Sequence, residues 1–458
     1  MGSPRLRSLQ IHKYRHVVPG TRLEFGESFN VLLGRNGTGK TTLLELIEMI
    51  WAKGFGQIAD EPFHLEYSVE FDDVTYPIAS RYPPVPGCLI HVEVENATAE
   101  DARQDSRHFR SSSPPLEFRY HVTVATLAGE VMVTVEGTPT EALMRTEGRS
   151  ARVPVLAASA WPVVWIAPAQ YNYDNSTRED GTTILAAHWA DLCRFILSYL
   201  DNTGRYDESL SAFHALTSTE YRLMGSGLHG ARWEIARRLD QETKAYHLDD
   251  NLCVYFPRQL LERWYTVLAN DPRREPPEFH DSIRDTDLAV FLELTGYSDV
   301  IVRSGTPARE RITAVERLKF GPPEFRILLP NNRGEIPAQA LSYGEKRLLS
   351  FLWHLACNPS VIIADELVNG FHHAWIERCV ELIGTRQAFL ASQNPLLLDC
   401  LPLASEEYVR GCFITCRRNA DGQMSWTNLS AEEAADFYRS YERQTRYTHE
   451  ILRSKGLW

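Results

Sequence analysis

The stretch LLGRNGTGKTTLLELIEMI, from Leu32 to Ile50, sets the fold class of this chain. The segment FNVLL (Phe29–Leu33), which runs into it, is mostly apolar and predicts a buried β-strand. Behind the glycines comes an apolar series with the spacing of a helix, formed by Leu43, Leu44, Ile47 and Ile50. A strand, a glycine-rich turn and a helix therefore follow one another directly.

The glycine-rich turn fits the pattern G-x-x-x-x-G-K-[ST], the P-loop. Its backbone N–H groups can face one concavity that suits phosphate, and the helix start adds about half an elementary positive charge. We expect the Lys40 ammonium to reach the β- and γ-phosphates of ATP and the Thr41 hydroxyl to ligate Mg²⁺. The residues predicted to bind the nucleotide are Gly34, Arg35, Asn36, Gly37, Thr38, Gly39, Lys40, Thr41 and Thr42.

Composition restricts the class of protein. The 458 residues suffice for two or three domains, and 43% hydrophobic with 24% charged residues is ordinary for a globular protein. No apolar run is long enough to cross a membrane, the N-terminal segment has no apolar signal core, and the eight cysteines form no CxxC pair. We therefore expect a cytoplasmic protein without a membrane partner. The net charge of −12 argues against a surface that grips nucleic acid throughout, but leaves a local basic path open.

A second informative run, VIIADE from Val361 to Glu366, has the apolar character of a buried parallel strand that ends in two acids. Ligands in open α/β sheets bind at the carboxyl ends of strands. We expect Asp365 to hold Mg²⁺ and Glu366 to orient or deprotonate the attacking water. Taken alone, the pattern is also typical of a plain buried strand with polar residues at its exit.

The motif LSYGEKR, from Leu341 to Arg347, precedes this run. It resembles the LSGGQ signature of ABC-type ATPases, and most of all the LSxGEK form of SMC and RecF relatives. The resemblance implies that Ser342 and the Gly344 amide close over the γ-phosphate held by a second subunit, so that two copies of the chain sandwich two nucleotides. The same residues also fit a capping box, with Ser342 as N-cap and Glu345 three residues later.

Two glutamines stand where the same family carries functional residues. The segment FLASQNPLLLD resembles the family's switch segment, and Gln393 holds the histidine position. An amide can hydrogen-bond phosphate or water but cannot shuttle a proton, so the resemblance implies slow hydrolysis by Glu366 and Gln393. A plain Asn-Pro helix start is the alternative interpretation of the segment, and His372 or His373 is an alternative catalytic group. Gln170 suits the Q-loop ligand of Mg²⁺, with Gln57 as its rival.

The middle of the chain separates the P-loop from the signature motif. Residues 63–71, 88–96, 116–126 and 130–136 alternate apolar with polar positions and predict antiparallel strands. From 183 to about 300 the periodicity turns helical, in segments such as GARWEIARRLDQETKAYHL, without a sustained heptad repeat. We therefore expect a globular helical insert in place of a coiled-coil arm.

These features predict an α/β fold, a P-loop ABC-type ATPase head with a mixed sheet, flanking helices, an antiparallel β subdomain and an inserted helical domain. The expected domains are residues 1–182 for the first part of the head, 183–310 for the insert, 311–405 for the second part of the head, and 406–458 for a terminal strand and helical tail.

The whole plan resembles the RecF/SMC/OLD-like ATPases, and within them the ATPase subunits of anti-phage systems such as AriA of PARIS and PtuA of Septu. That resemblance implies an oligomeric sensor or scaffold that controls a separate nuclease of the Toprim or HNH type. Two alternatives stay open. A DNA-repair ATPase would act directly on DNA, and a transporter ATPase is opposed by the long insert and the LSxGEK motif.

Overall fold

The computed structural model describes residues 5–53, 55–58, 61–71, 88–96, 119–137, 141–146, 149–154, 233–239, 246–248, 257, 259–260, 263, 278–305, 308–312, 315–320, 324–357, 361–443 and 447–458. The chain divides into two compact units. The first comprises Met1–Gly204, Leu403–Arg446 and Glu450–Trp458, and the second comprises Arg205–Pro402 and Tyr447–His449.

An antiparallel sheet of eight strands, in the order β2-β1-β4-β5-β6-β7-β8-β9, belongs to the first unit. Its strands are β1 (Arg5–Tyr14), β2 (Thr21–Glu24), β4 (Phe63–Phe71), β5 (Cys88–Asn96), β6 (Arg119–Thr126), β7 (Val131–Gly137), β8 (Glu141–Thr146) and β9 (Arg149–Pro154). Burial alternates strictly along β5, so one face of the strand is apolar and covered while the other is polar. The four strands predicted from alternation are confirmed as β4 to β7.

Strand β1 carries two β-bulges against β4. The register shifts once around Arg7 and again around His12, the two residues of this stretch without a partner position in β4. The buried residues of β1 consequently do not alternate strictly, and they are Leu6, Leu9, Ile11 and Tyr14. A bulge of this kind re-aims the extra residue's side chain and increases the local twist.

The glycine-rich turn sits between the predicted strand and helix, both of which are confirmed as β3 (Phe29–Leu33) and α1 (Lys40–Glu48). Every residue of β3 is buried. Strand β20 (Phe413–Arg418) pairs in parallel with β3 and antiparallel with β21 (Met424–Asn428). The remaining helices of this unit are α6 (Glu406–Cys412), α7 (Ala431–Glu442) and most of α8 (Thr448–Ser454).

The second unit contains two antiparallel four-stranded sheets, β11-β10-β15-β14 and β12-β13-β16-β17, and a parallel pair, β18 with β19. The strands are β10 (Trp233–Leu239), β11 (Tyr246–Leu248), β12 (Phe279–Ser282), β13 (Asp299–Ser304), β14 (Ala308–Ile312), β15 (Val315–Phe320), β16 (Glu324–Leu328), β17 (Glu335–Pro337), β18 (Val361–Asp365) and β19 (Gln387–Ala391). Its helices are α2 (Val290–Thr295), α3 (Tyr343–Cys357), α4 (His373–Ile383) and α5 (Pro395–Asp399).

The prediction of helix across the segment GARWEIARRLDQETKAYHL is wrong. This segment holds β10 and β11, and β10 pairs with β15 in a register that sets Trp233 opposite Phe320. A strand partner so far along the chain leaves no mark on local periodicity, and the apolar residues of β10 fit a period of two as well. The inserted helical domain is thus not confirmed, and residues 155–232 lie outside the part of the chain that the structure describes.

Among the described residues, the helices are too short or too polar to cross a lipid bilayer.

Candidate functional site

The phosphate-binding pattern forms a tight loop in the first unit. Lys40 is the first residue of α1, and its buried ammonium donates to the carbonyl oxygens of Gly34 at 2.8 Å and Arg35 at 3.1 Å. Thr38 closes the turn through a hydroxyl donation to the Arg35 carbonyl at 2.8 Å. The loop therefore wraps around its own lysine, which places the cation inside the concavity.

Gly34 cannot be replaced without moving the loop. Its φ of 154° lies at the edge of the region that only glycine enters easily, and an added Cβ would overlap the carbonyl oxygen of Cys416 on β20. The helix end is also open, because Gly39 at the N-cap of α1 supplies no capping side chain. Uncapped N–H groups of a first helical turn are the donors that an anion takes up.

The hairpin of β20 and β21 braces the loop from a distant part of the sequence. Arg418 donates through Nε to the Gly37 carbonyl at 2.6 Å, and Trp426 donates through Nε1 to the Thr38 carbonyl at 3.2 Å. Burial raises the pKa of the Cys416 thiol to about 12, although the nearby Lys40 charge lowers it, so this thiol stays protonated. Sequence reasoning missed Arg418 and Trp426, because nothing local marks a brace that follows the loop by nearly 400 residues.

The chemical groups of this loop suit a nucleotide phosphate. The ammonium of Lys40 and the start of α1 offer positive charge, and the turn at Gly34 leaves no side chain to obstruct a ligand. The Thr41 hydroxyl lies on the exposed side of the first turn and is of the type that ligates Mg²⁺. A bound Mg²⁺ would neutralise phosphate charge, as it does in P-loop enzymes.

In the second unit, two acids end the buried strand β18 as predicted. The residues Val361 to Ala364 are buried, whereas Asp365 and Glu366 are half-buried. Glu366 has a φ of 52°, a left-handed conformation that costs a residue with a side chain roughly 1–2 kcal/mol. Its N–H donates to the Ala391 carbonyl at 2.7 Å, so the end of β19 holds it in this conformation. Strained backbone held in this way is a recurring feature of functional sites.

Gln393 lies beside Glu366, as a switch residue beside a general base would. Its side-chain amide donates to Glu366 Oε1 at 3.0 Å, and its backbone N–H faces Oε2 at 3.4 Å. The alternative interpretation of the segment also holds, because Asn394 caps α5 by accepting from the Leu396 N–H at 3.0 Å. The hydrogen bond from Gln393 to Glu366 and the helix cap at Asn394 therefore coexist in the same turn.

The signature motif begins α3 with a complete capping box. Glu345 N–H donates to Ser342 Oγ at 3.3 Å, and Ser342 N–H donates to Glu345 Oε2 at 2.7 Å. Tyr297 adds a hydroxyl donation to Glu345 Oε1 at 2.9 Å. Burial acts to raise the pKa of Glu345, but the hydrogen bonds from Ser342 and Tyr297 outweigh it and lower that pKa. The carboxylate is therefore held ionised at the positive end of α3, where its charge is stabilising.

The signature helix packs directly on the turn that follows the acids. An added Cβ at Gly344 would overlap the carbonyl oxygen of Gly370, so only glycine allows this approach. Arg347, which is buried, donates to the Glu366 carbonyl and to the Tyr343 hydroxyl, the latter at 3.2 Å. The helix that carries Ser342 is thus tied to the backbone of Glu366. Sequence analysis did not single out Arg347 for this contact.

Of the remaining residues predicted for the site, one lies outside the part of the chain that the structure describes. Gln170 lies outside the described residues, so its metal role stays a prediction. His372 is exposed at the N-cap position of α4. Asp365 lies at the end of β18, while Thr41 belongs to the other unit.

Family models match two parts of the chain. Residues 8–108 match a model described as "AAA domain", and residues 236–399 match one described as "AAA domain, putative AbiEii toxin, Type IV TA system". Each match covers less than half of the 458 residues. Together with the phosphate loop, these matches support a P-loop ATPase domain. No curated protein sequence matches the chain.

Solved structures that match the chain include SMC head domains. The SMC head bound to the C-terminal winged-helix domain of ScpA is 13% identical, with a TM-score of 0.37, 94% of this chain covered and 99% of that one. The SMC head with an extended coiled coil, bound to the C-terminal domain of ScpA from Pyrococcus furiosus, is 13% identical, with a TM-score of 0.36 and coverage of 96% and 100%. The Thermotoga maritima SMC head domain is 10% identical, with a TM-score of 0.33 and coverage of 93% and 99%. Likeness at this level assigns no function.

Proposed function

We propose that this chain binds ATP at the Gly34–Thr42 loop and hydrolyses it to ADP and phosphate, with Glu366 as the general base. The observation that carries the proposal is the Lys40 ammonium, buried inside a turn in which position 34 has room only for glycine. A cation in such a turn suits a polyanionic ligand. Mg²⁺ would be held by Thr41 and Asp365, with Gln170 as a third ligand.

Nucleotide titration of purified protein tests the ATP site. The Lys40→Ala variant loses the ammonium, and we expect calorimetry with ATP and Mg²⁺ to show at least a tenfold weaker affinity. Lys455→Ala serves as the matched control, because Lys455 pairs with Asp436 on α7 and has no place in the loop. Equal affinity of Lys40→Ala and the control would overturn the phosphate-binding role of this loop.

We further propose that the ATPase is a cytoplasmic sensor or scaffold in anti-phage defence and controls a separate nuclease. The supporting observation is the resemblance of motifs and plan to defence ATPase subunits. In this view two or more copies assemble around ATP, with Ser342 and Gly344 of one copy at the nucleotide of the next. Co-expression with the nuclease gene next to it, of the Toprim or HNH type, should give a stable complex. Absence of any nuclease gene in that neighbourhood would contradict the defence role.

Direct action on DNA is the competing function. A chain that works on DNA should hydrolyse ATP faster when duplex DNA is added, and the stimulation should fall steeply with salt. The defence scaffold predicts no such stimulation by DNA of arbitrary sequence. The net charge of −12 favours the scaffold.

A further inference from the structure

Two histidines and a glutamate come together on the polar face of the eight-stranded sheet, in the first unit. Their potential ligand atoms, on His12, His64 and Glu66, all lie within 4.8 Å of one another. Nε2 of His12 is 2.6 Å from Glu66 Oε1, and the imidazole rings of the two histidines are 4.4 Å apart between centroids. All three side chains are half-buried.

The cluster depends on an irregularity of the backbone. His12 is the extra residue of the second bulge in β1, where the register passes from Ile11 opposite Leu65 to Lys13 opposite His64. The bulge brings the His12 ring to the side of β4 on which His64 and Glu66 lie. Bulges are common next to functional sites because they re-aim one side chain without disturbing the sheet beyond it.

Further donors surround these three residues. Glu93 on β5 accepts or shares a proton with His64 Nε2 at 2.8 Å, and His91 Nε2 lies 3.8 Å from Glu66 Oε2. The cluster therefore combines imidazole nitrogens with two carboxylates. Such a set suits a dication, because the carboxylates offset its charge while neutral imidazoles bind through their lone pairs.

We propose that His12, His64 and Glu66 form a binding site for a divalent transition-metal ion of the zinc class, with water as the fourth ligand and Glu93 as the hydrogen-bond partner that orients the His64 ring. Ligand atoms about 2.0–2.1 Å from a tetrahedral metal stand roughly 3.3 Å apart. The present contact of 2.6 Å joins Nε2 of His12 to the Glu66 carboxylate that would share the metal. When the ion binds, it displaces the proton between the imidazole and the carboxylate, and these side chains move apart to the spacing of metal ligands.

The choice of metal follows from the ligand types. Mg²⁺ prefers oxygen ligands, so the Mg²⁺ that accompanies ATP has no preference for this cluster. Imidazole with carboxylate suits zinc, cobalt, nickel and copper. The ligands of this site therefore favour a different metal ion from the Mg²⁺ of the nucleotide site.

A second group, formed by His373, Glu377 and Cys400, is less suited to an ion. The side chains of His373 and Glu377 are about half exposed. Burial raises the pKa of the Cys400 thiol to about 11, so the thiolate that a metal needs forms with difficulty.

Cobalt(II) titration of nucleotide-free protein, previously treated with chelator, tests the site. Tetrahedral cobalt(II) absorbs visible light strongly, and we expect bands that saturate at one ion per chain and vanish when zinc is added. His12→Ala and His64→Ala should each weaken the affinity by at least about tenfold, since loss of even an outer-shell partner costs 10–100-fold. His280→Ala on β12 is the matched control, because His280 is exposed and belongs to the other unit.

Two results would overturn the proposal. One is wild-type protein without a saturable cobalt spectrum, which would leave the cluster a hydrogen-bonded polar patch. The other is binding that His12→Ala and His64→Ala leave unchanged, which would place the ion elsewhere. Circular dichroism of each variant checks the fold, and the double variant His12→Gln with His64→Gln, which keeps polar side chains on the surface, repeats the test where an alanine variant fails to fold.

Discussion

The side-chain amide of Gln393 donates a hydrogen bond to the carboxylate of Glu366 at 3.0 Å, across the ends of the parallel strands β18 and β19. The amide fixes one carboxylate oxygen, while the left-handed backbone of Glu366 fixes the direction from which the side chain departs. These contacts are the basis for the proposed roles of Glu366 as general base and Gln393 as its positioning residue.

Glu366→Gln should bind ATP with unchanged affinity and hydrolyse it at least about 100-fold more slowly, because the amide keeps the size of the side chain and loses the base. Steady-state phosphate release and nucleotide calorimetry measure the two effects. Glu377→Gln, an exposed position on α4, is the control and should behave as wild type. A normal rate in Glu366→Gln would assign the base to another residue.

Gln393→Ala should lower kcat by about tenfold and leave KM nearly unchanged, because the base survives but loses its orientation. Gln393→Glu should be slower still, since a second carboxylate beside Glu366 favours shared protonation. Gln393→His, which restores an N–H donor, should recover part of the rate. If alanine and histidine variants were equally slow, positioning would not be the role of Gln393.

Ser342→Ala tests whether the signature serine does more than cap its helix. The chain contains a second capping box of the same kind, Ser430 with Glu433 at the start of α7. Each serine-to-alanine change should reduce the free energy of unfolding by about 1 kcal/mol in urea denaturation. Only Ser342→Ala should also lose ATPase activity. Equal ATPase activity in the two variants would mean that Ser342 only caps its helix and has no role in hydrolysis.

A mixing experiment extends the test to the shared site. Lys40→Ala and Ser342→Arg proteins should each be inactive, yet a mixed dimer has one intact loop facing one intact signature. Partial ATPase recovery that peaks near equal mixing is expected. No recovery, with subunit exchange shown by native mass spectrometry, would argue for a site within one chain or strict coupling of two sites.

Gly344→Ala should destabilise the protein by about 1–3 kcal/mol, because the new methyl group displaces the Gly370 carbonyl. Gly411→Ala is the control. Gly411 lies in α6, where an added Cβ meets the Gly26 Cα at 3.4 Å, so the favourable helix propensity of alanine offsets the contact. Thermal unfolding of the two variants should differ clearly, and similar midpoints would contradict the close approach at Gly344.

Glu70→Gln should lower stability in a pH-dependent way. Arg7 donates to both oxygens of Glu70, at 2.7 and 2.6 Å, and holds the pKa of that carboxyl below its usual value. The stabilisation, about 1 kcal/mol, is present above the unfolded-state pKa and is lost as pH falls through the folded-state pKa. Urea denaturation should therefore separate the variant from wild type at pH 7, and the difference should shrink as pH falls below about 4.3, the ordinary pKa of a glutamate. Glu27→Gln, an exposed second partner of Arg7, should show a smaller difference.

Local patterns predicted the elements whose partners are close in sequence. The P-loop, the strands β4 to β7 and the capping box at Ser342 all follow from spacing within a few residues. The strand character of β10 did not, because its partner β15 lies far along the chain. The hydrogen bond between Gln393 and Glu366 joins two segments that only the parallel pairing of β18 and β19 makes adjacent. The braces from Arg418 and Trp426 depend on tertiary structure alone.

Because β1 contains two bulges, the effect of deleting one residue from it should depend strongly on which residue is deleted. Deleting a regularly paired residue from a strand moves every side chain beyond the deletion to the opposite face of the sheet. Removing Arg7 or His12 would instead leave a regular ladder with every remaining residue on its present side. Pairing with β4 uses neither residue, although the Arg7 carbonyl accepts a hydrogen bond from the Phe25 N–H at 2.9 Å. Their place in the chain is explained by what their side chains reach, a carboxylate of β4 in each case.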